Sequence, residues 1–545
     1  MRPLDQALRR LRSAGRSGSA AGPDHALGAA LSQQGVGFAA IGGALEDRWD
    51  QAVRELEQCI SPFSGPNPVL SEGGVYHGAW IESTGTINAE VLSRFAPQVT
   101  EATHRLFADN LREDGLMPYK VTADGPGFSQ IQIVTPLARS VWHHYLLTGR
   151  DREYLRTLFD AMAAMDAWLA RHRDTRGTGG VEAFCTFDTG HDLSPRFWGV
   201  AERCLSGDAT RYDDTDPLLP LVAPDLTANV ACQRSYLALI AAELGEDPQP
   251  WLDRAASSVD ALWRECFDED DHLFYDREGD GGMRRVRSDV LLRVLACEVG
   301  DDAFFEDALR RHLLDRRGFL AAAGLTSIAL DDPRFDRDAS RNSWAGPVNA
   351  LTMIRSPHAF EHHGRHAELG ALALPMIEAL AHADRFPQCF DPWSGEPGFT
   401  DVYSPAILYF LDAIERTSGI LPRPDGELWF SGLTPTRLNG DARADAVAYR
   451  RTHAGVTYEL AADDGEVAVW RDGEAWLRFP RGWRIVVGTD GDVESVVGLA
   501  QTAVSGRLTV DGVSTPLELA GNDVVAIHGD SPGTRTSIGV VTPRH

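Results

Sequence analysis

Between residues 151 and about 172 the apolar positions Leu155, Leu158, Met162, Met165, Trp168 and Leu169 recur at three- and four-residue steps, which puts them on one face of an α-helix. These six read as core, with no cofactor needed to explain the methionines or the indole. The same texture returns at about 86–112, 131–148, 226–245, 250–266, 287–299, 302–315, 347–363, 366–383 and 402–417. Short returns dense in Gly, Pro and Asp separate these segments. The spacing therefore predicts antiparallel helical hairpins, and no strand–helix alternation points to a parallel sheet.

After Pro422 the period changes. GVTYELAADD, EVAVWRD, EAWLRFP, WRIVVGTD, GRLTVDG and TSIGVVT alternate apolar and polar positions between Gly and Asp turns, the pattern of antiparallel strands. A small all-β unit, an antiparallel sandwich with a structural role, is expected over 422–545. Residues 73–421 form the helical part. Residues 1–72, which end in the turn-rich SPFSGPNP, read as a partly disordered N-terminal extension; its start, MRPLDQALRRLRSAGRSGSAAG, lacks the apolar centre of a secretory signal.

Composition narrows the function. A chain of 545 residues with 43% hydrophobic and 24% charged residues can bury a large core. Its net charge of −27 leaves no basic stripe for nucleic acid or an anionic membrane, and favours a soluble protein with a neutral or cationic ligand. The seven cysteines, Cys59, Cys185, Cys204, Cys232, Cys266, Cys297 and Cys389, show no CxxC spacing. They fit reduced thiols in a cytoplasmic protein, without a zinc site or disulfide framework. No apolar run has the length of a membrane span. His143-His144 and His362-His363 match metal ligands by residue type only, GDGG at 279–282 is a turn, and G-x-S-x-G is absent.

Chemistry concentrates in loops at helix boundaries. VEAFCTFDTGHDLSPRFW (181–198) sets Glu182, Asp188, His191, Asp192 and Arg196 among Phe184, Phe187, Phe197 and Trp198. A carboxyl group wedged between aromatic rings is desolvated and can keep a proton at neutral pH; the alternative is a helix-capping Asp. HGAWIESTGT brings Trp80, Glu82 and Ser83, where Ser83 or Thr84 could equally cap a helix. GPGFSQIQ brings Gln130 and Gln132. RNSWAGPVN brings Asn342, Trp344 and Asn349, and RFPQCFDPWSGEPGFTD brings Gln388, Asp391, Trp393, Glu396 and Asp401. Indoles beside carboxylates and amides suit sugars, whose ring faces stack while their hydroxyls need paired donors and acceptors; each Trp could equally be core.

These motifs carry a resemblance. WIES at 80–83 resembles a W-D-S element, SQIQ at 129–132 resembles S-Q-P-P, and TGHDLSPR at 189–196 resembles S-G-x-D-x-S-x-R. DLTAN at 225–229, NSWAGPVN at 342–349 and CFDPWSGEP at 389–397 resemble D-L-N, W-R-G-P-x-W and Y-x-P-x-T-G. In this order they resemble the trehalase, processing α-glucosidase I and mannosylglycerate/glucosylglycerate hydrolase group of inverting glycoside hydrolases, over about 75–415. The resemblance implies an (α/α)6 barrel, a small α-linked glucoside or related glycoside as substrate, no cofactor, and Asp192 as general acid with Arg196 positioning it. It implies sugar contacts at Glu82, Gln130 and Asn229 and a subsite wall at Trp344; Trp80, Asp188, Gln388 and Trp393 join them as candidates. Where that group carries a basic Glu this chain has Gln388. The base must then be another carboxylate, with Glu396, Asp401 and Asp391 nearby, or the chain binds sugar without cleaving it. A third reading, an epimerase or lyase, would rely on His191 and Tyr403.

Overall fold

The computed structural model describes residues 2–13, 25–63, 65–433, 438–529 and 531–544. The best-patterned segment is a helix at Arg152–His172. Asp151 caps it, accepting from the Glu153 and Tyr154 amides at 2.9 and 3.3 Å, an interaction worth about 1 kcal/mol. Glu153 in its first turn and Arg171 and His172 in its last complement the helix dipole, and all six stripe residues are buried. Helices Leu137–Leu147, Pro224–Leu244, Gln249–Cys266, His366–His382 and Ser404–Ser418 occupy other expected segments. Two expected long helices are broken where proline sits in a first turn: 86–112 becomes Ile87–Leu92 and Pro97–Asp109, and 347–363 becomes Ala350–Ile354 and Ser356–His362. Among the described residues no helix is long and apolar enough to cross a membrane.

The C-terminal region forms two antiparallel sheets. One has six strands, in the order Ile420–Pro422, Leu428–Gly432, Trp483–Val487, Val493–Gly498, Val524–His528 and Ser531–Thr536. The other has seven, of which six come from 446–519. The sheets meet through aromatic rings: Phe430 of the first lies 5.4 Å from Tyr458 and 5.6 Å from Trp476 of the second. TSIGVVT is not the strand its alternation suggests. Past Thr536 the chain leaves the sheet and runs to the helical part, where Val541 N donates to Glu368 at 2.7 Å and Arg544 N to the Leu314 carbonyl at 2.9 Å.

The seventh strand comes from the other end of the chain and corrects the reading of 1–72 as a loose extension. Gly37–Ile41 pairs antiparallel with Ala446–His453, from Gly37 opposite Arg450 to Ile41 opposite Ala446. Leu4, Ala7, Leu8 and Leu11 of helix Pro3–Ser13 pack on the small side chains Ala39, Ala446, Ala448, Ala461 and Ala468 of this sheet, where alanines let a helix approach closely. Helix Leu45–Gln58 bridges to the helical part: Trp49 lies 5.9 Å from Tyr449, and the Arg48 guanidinium 3.7 Å from the Phe386 ring. Residues 14–24, the small-residue tract of that expected extension, lie outside the described residues.

Candidate active site

A cavity of about 190 Å³ is lined by the loops that carry the sequence motifs: Glu72, Tyr76, Trp80, Glu82, Tyr119, Lys120, Gln130, Gln132, Phe187, Gly190, Asp192, Arg203, Asn342, Leu351, Gln388 and Tyr403. One wall is a three-stranded ribbon. Ala79–Trp80 pairs with Lys120–Thr122, which turns back into Gly125–Gly127, so Trp80 and Lys120 are cross-strand neighbours with the ammonium 5.5 Å from the indole centroid. Beyond Trp80 the chain tightens on itself. Thr84 Oγ1 accepts from the Trp80 amide at 2.6 Å and donates to its carbonyl at 2.7 Å, while Ser83 donates to Glu72; neither caps a helix.

Asp192 sits on the loop between two short turns and is tied to a loop 150 residues later. The Trp344 amide donates to the Asp192 carbonyl at 3.0 Å, and Asn342 Nδ2 donates to Asp192 Oδ2 at 2.6 Å. The amides continue outward: Gln388 Nε2 donates to Asn342 Oδ1 at 2.9 Å, and the Tyr76 hydroxyl donates to Gln388 Oε1 at 2.9 Å. Burial pushes the Asp192 carboxyl well above the usual carboxylate range, and the negative charge of Glu82 adds to the shift. Burial also lifts Glu82 to about 7 and Glu72 to about 8. Glu82 accepts from Gln132 through one oxygen, while its Oε1 has no protein partner. Gly190 makes this packing possible: with φ of +65° a side chain there would place its Cβ 2.3 Å from Glu82 Oε1.

Trp80, Glu82, Gln130, Gln132, Phe187, Asp192, Asn342, Gln388 and Tyr403 thus converge, and the other sequence candidates do not. Arg196 does not position Asp192; its guanidinium is spent on Asp225 at 2.9 Å, Asp276 at 2.7 Å and His191 at 2.6 Å. Asp188 is buried on Arg173 at 2.6 Å and accepts from the Ile131 amide at 3.0 Å, so it fixes the Gln130 loop from behind. Asn229 lies on helix Pro224–Leu244 with its Oδ1 3.1 Å from Cys297 Sγ, away from the lining. Trp344 is core rather than a subsite wall, 1% exposed between His191 and Arg293. Trp393 is 49% exposed and lines a separate groove with Ala379 and Gly395. Of the proposed bases, Glu396 is exposed and off the cavity, and Asp401 is exposed on a neighbouring groove that shares Tyr76, Trp80 and Lys120 with it. Asp391 spends one oxygen on the Trp393 and Ser394 amides.

Of the four aromatic residues expected around Asp192, only Phe187 shares its cavity. Phe184 stacks under Arg173, Phe197 under Arg196, and Trp198 is 56% exposed. His191 is outside the lining, and burial beside Arg293 holds it neutral with its pKa down at about 3. Sequence reasoning passed over Glu72, assigned to the extension, and also Tyr76, Lys120 and Arg203. One signal was available for Lys120: it is the single lysine of the chain. Cys185, Asp188 and Cys204 bring ligand atoms within 4.8 Å of one another. The Arg173 guanidinium, on Asp188 and 3.6 Å from Cys204 Sγ, already supplies the positive charge there.

A half-buried carboxyl among indole, phenol and amide groups suits a ligand rich in hydroxyls. The chain belongs to the mannosylglycerate hydrolase MGH1-like glycoside hydrolase domain family, whose model matches residues 75–404. No curated protein matches the chain in sequence. Among solved structures, a GH63 mannosylglycerate hydrolase from Thermus thermophilus, in complex with Tris and D-glycerate, is similar at 19% identity and a TM-score of 0.56, covering 67% of this chain and 99% of that one. A sialidase (14% identity, TM-score 0.58, 84% and 42% covered) and the GH78 family rhamnosidase of Bacillus sp. GL1 (12%, 0.51, 78% and 40%) share the fold.

Proposed function

We propose that the chain cleaves a small α-linked glucoside or related glycoside with inversion, on an (α/α)6 barrel, with Asp192 giving its proton to the departing glycosidic oxygen. The observation that carries this is the Asp192 carboxyl itself: half-buried, raised in proton affinity, and oriented by Asn342 in a cavity with Trp80, Glu82 and Gln130. A carboxyl whose pKa is raised by burial and by a neighbouring negative charge holds its proton to higher pH than a free one, the direction a general acid needs. The indole of Trp80 offers a stacking face, and Gln130, Gln132 and Glu82 offer the donors and acceptors a sugar ring requires. An attacking water must lose a proton; Glu82, at about 7 and with Oε1 free of protein donors, is a lining group able to take it, whereas the Gln388 amide is not.

The name of the Thermus structure makes mannosylglycerate the first glycoside to offer, followed by glucosylglycerate, which the sequence resemblance adds, and neutral α-glucosides. Product configuration read by proton NMR, with Asp192→Asn as control, tests the reading. Inverted sugar from the natural chain and none from the variant is expected; retained configuration, or turnover persisting in Asp192→Asn, would refute it. A second reading, sugar binding without cleavage, is favoured by the closed amide chain through Gln388. Calorimetric affinity without turnover, together with activity appearing in Gln388→Glu, would select it.

A further inference from the structure

Cys185 and Cys204 stand at the two ends of the loop that carries Asp192, 19 positions apart, and the Cys204 thiol donates to Cys185 Sγ at 3.5 Å. The segments around them run side by side: the Thr186 amide donates to the Ala201 carbonyl at 2.9 Å, and the Phe187 amide to that of Glu202 at 3.1 Å. Phe184, Phe187 and Tyr212 pack around the two sulfurs. Other thiols are engaged elsewhere. Cys59, Cys266 and Cys389 lie against backbone carbonyls at 3.4, 3.7 and 3.3 Å. Cys232 and Cys297 also meet, but inside the helical core, in contact with Arg139 and Asn229.

Access separates the two pairs. Cys232 and Cys297 are flanked by buried and half-buried residues, whereas Ala201, Glu202, Arg203, Leu205, Ser206 and Gly207 are exposed and only the Cys204 side chain among them is buried. A small local opening of that stretch brings the Cys204 sulfur to solvent. Burial pushes the Cys185 thiol well above its usual range, so Cys204 reacts first and Cys185 second.

We propose that Cys185 and Cys204 are a modification site: they form a reversible disulfide, with a low-molecular-weight disulfide as oxidant, that ties the acid-bearing loop together at its base. The Cys204 thiolate attacks one sulfur of the small disulfide, whose S–S bond breaks and expels a thiolate that takes up the proton Cys204 gave up. The Cys185 thiolate then attacks the Cys204 sulfur of the mixed disulfide and expels the second small thiolate, which takes the Cys185 proton. The protein thiols lose two electrons and two protons, and the small disulfide leaves as two thiols. Starting 3.5 Å apart, the sulfurs have about 1.5 Å to close. Phe187, Gly190 and Asp192 of the cavity lining fall inside the closed ring, so the bond restrains the loop that holds the acid. Formation of the bond requires no part of the glycoside chemistry.

The test uses the full chain, reduced, freed of reductant and incubated folded in EDTA with oxidised glutathione. Thiols are counted in denaturant, and unreduced peptides are mapped by mass spectrometry. The proposal expects loss of two of the seven thiols, one peptide joining Cys185 to Cys204, and a Tm raised by about 2 °C, all reversed by dithiothreitol. Cys185→Ala should stop with glutathione on Cys204 and show no Tm rise; Cys204→Ala should lose no thiol. Seven thiols remaining after incubation of the natural chain overturn the proposal. So does glutathione that stays on Cys204 with Cys185 present, or a crosslink between Cys232 and Cys297 in place of the expected one. Each of these leaves Asp192 as the acid untouched, and turnover persisting in Asp192→Asn would leave the disulfide standing.

Discussion

Asp188 and Asp192 stand four positions apart on one loop, and their surroundings divide the molecule into two electrostatic regions. Behind the loop, Asp188 meets Arg173 at 2.6 Å, and Asp225 is shared by Arg196 at 2.9 Å and Arg293 at 3.3 Å. In front, Asp192, Glu82 and Glu72 meet amides and hydroxyls: Asn342, Gln132 and Ser83. Both regions are rich in carboxylates, all of those named buried except the half-buried Asp192. Cations hold Asp225 well below the usual carboxylate range, whereas the lack of a paired cation lets burial raise the other three. In the first region guanidinium pairs hold Asp188 and Asp225 and fix the loops; in the second, carboxyls without such a pair have raised proton affinity.

Moving a charge across this divide gives the largest expected effect. Arg196→Met strips Asp276 of its counterion and leaves Asp225 with Arg293 alone, and breaking a buried pair costs about 3–5 kcal/mol, so the variant should unfold at much lower denaturant. Stability near that of the natural chain would mean the rear cluster is not the scaffold described. Next, Asp192→Asn should cut glycoside turnover by about 10³-fold, within the range for a lost general acid, while its Tm holds or rises because a group kept neutral has been replaced by a neutral one.

The front region also predicts a pH dependence of stability. Glu72 and Glu82, raised from 4.5 to about 8 and about 7, bind protons more tightly folded than unfolded. Their contribution is therefore complete below pH 4.5 and is lost as pH rises through those values. Tm should fall between about pH 5 and 9, and Glu72→Gln should flatten the upper half of that fall; a Tm rising over this window would contradict the assignment. The smallest effects belong to Glu396→Ala and Asp401→Ala, exposed and off the lining. Each should change stability by under about 0.5 kcal/mol and turnover by roughly twofold at most, and a far larger loss in either would return it to the chemistry.

The helices were legible because one apolar stripe per segment needs only local periodicity, as at Leu155 to Leu169. The breaks at Pro97 and Pro357 follow from the missing amide and were readable too. The strand Gly37–Ile41 was not, since its partner lies about 400 residues away and its own five residues carry no alternation that separates a sheet edge from a loop. Within the site, Asp192, Glu82, Trp80 and Gln130 were found by residue type and motif. Arg196, Asn229 and Trp344 share those motifs yet face the rear cluster or the core, because one-residue differences in direction along a loop leave no trace in composition.

The order of residues alone set which segments are helix and which are strand, the excess of acid, and the candidacy of Asp192, since each depends on neighbours in sequence or on totals. Tertiary structure decided which carboxylates meet a guanidinium and which meet only amides, because that pairing joins residues 29, 80 or 150 positions apart. A carboxyl group's proton affinity follows from who faces it through space. For that reason Glu72, unremarked in a turn-rich segment, and Lys120, alone of its kind, acquired meaning only when the chain folded them into the cavity that holds Asp192.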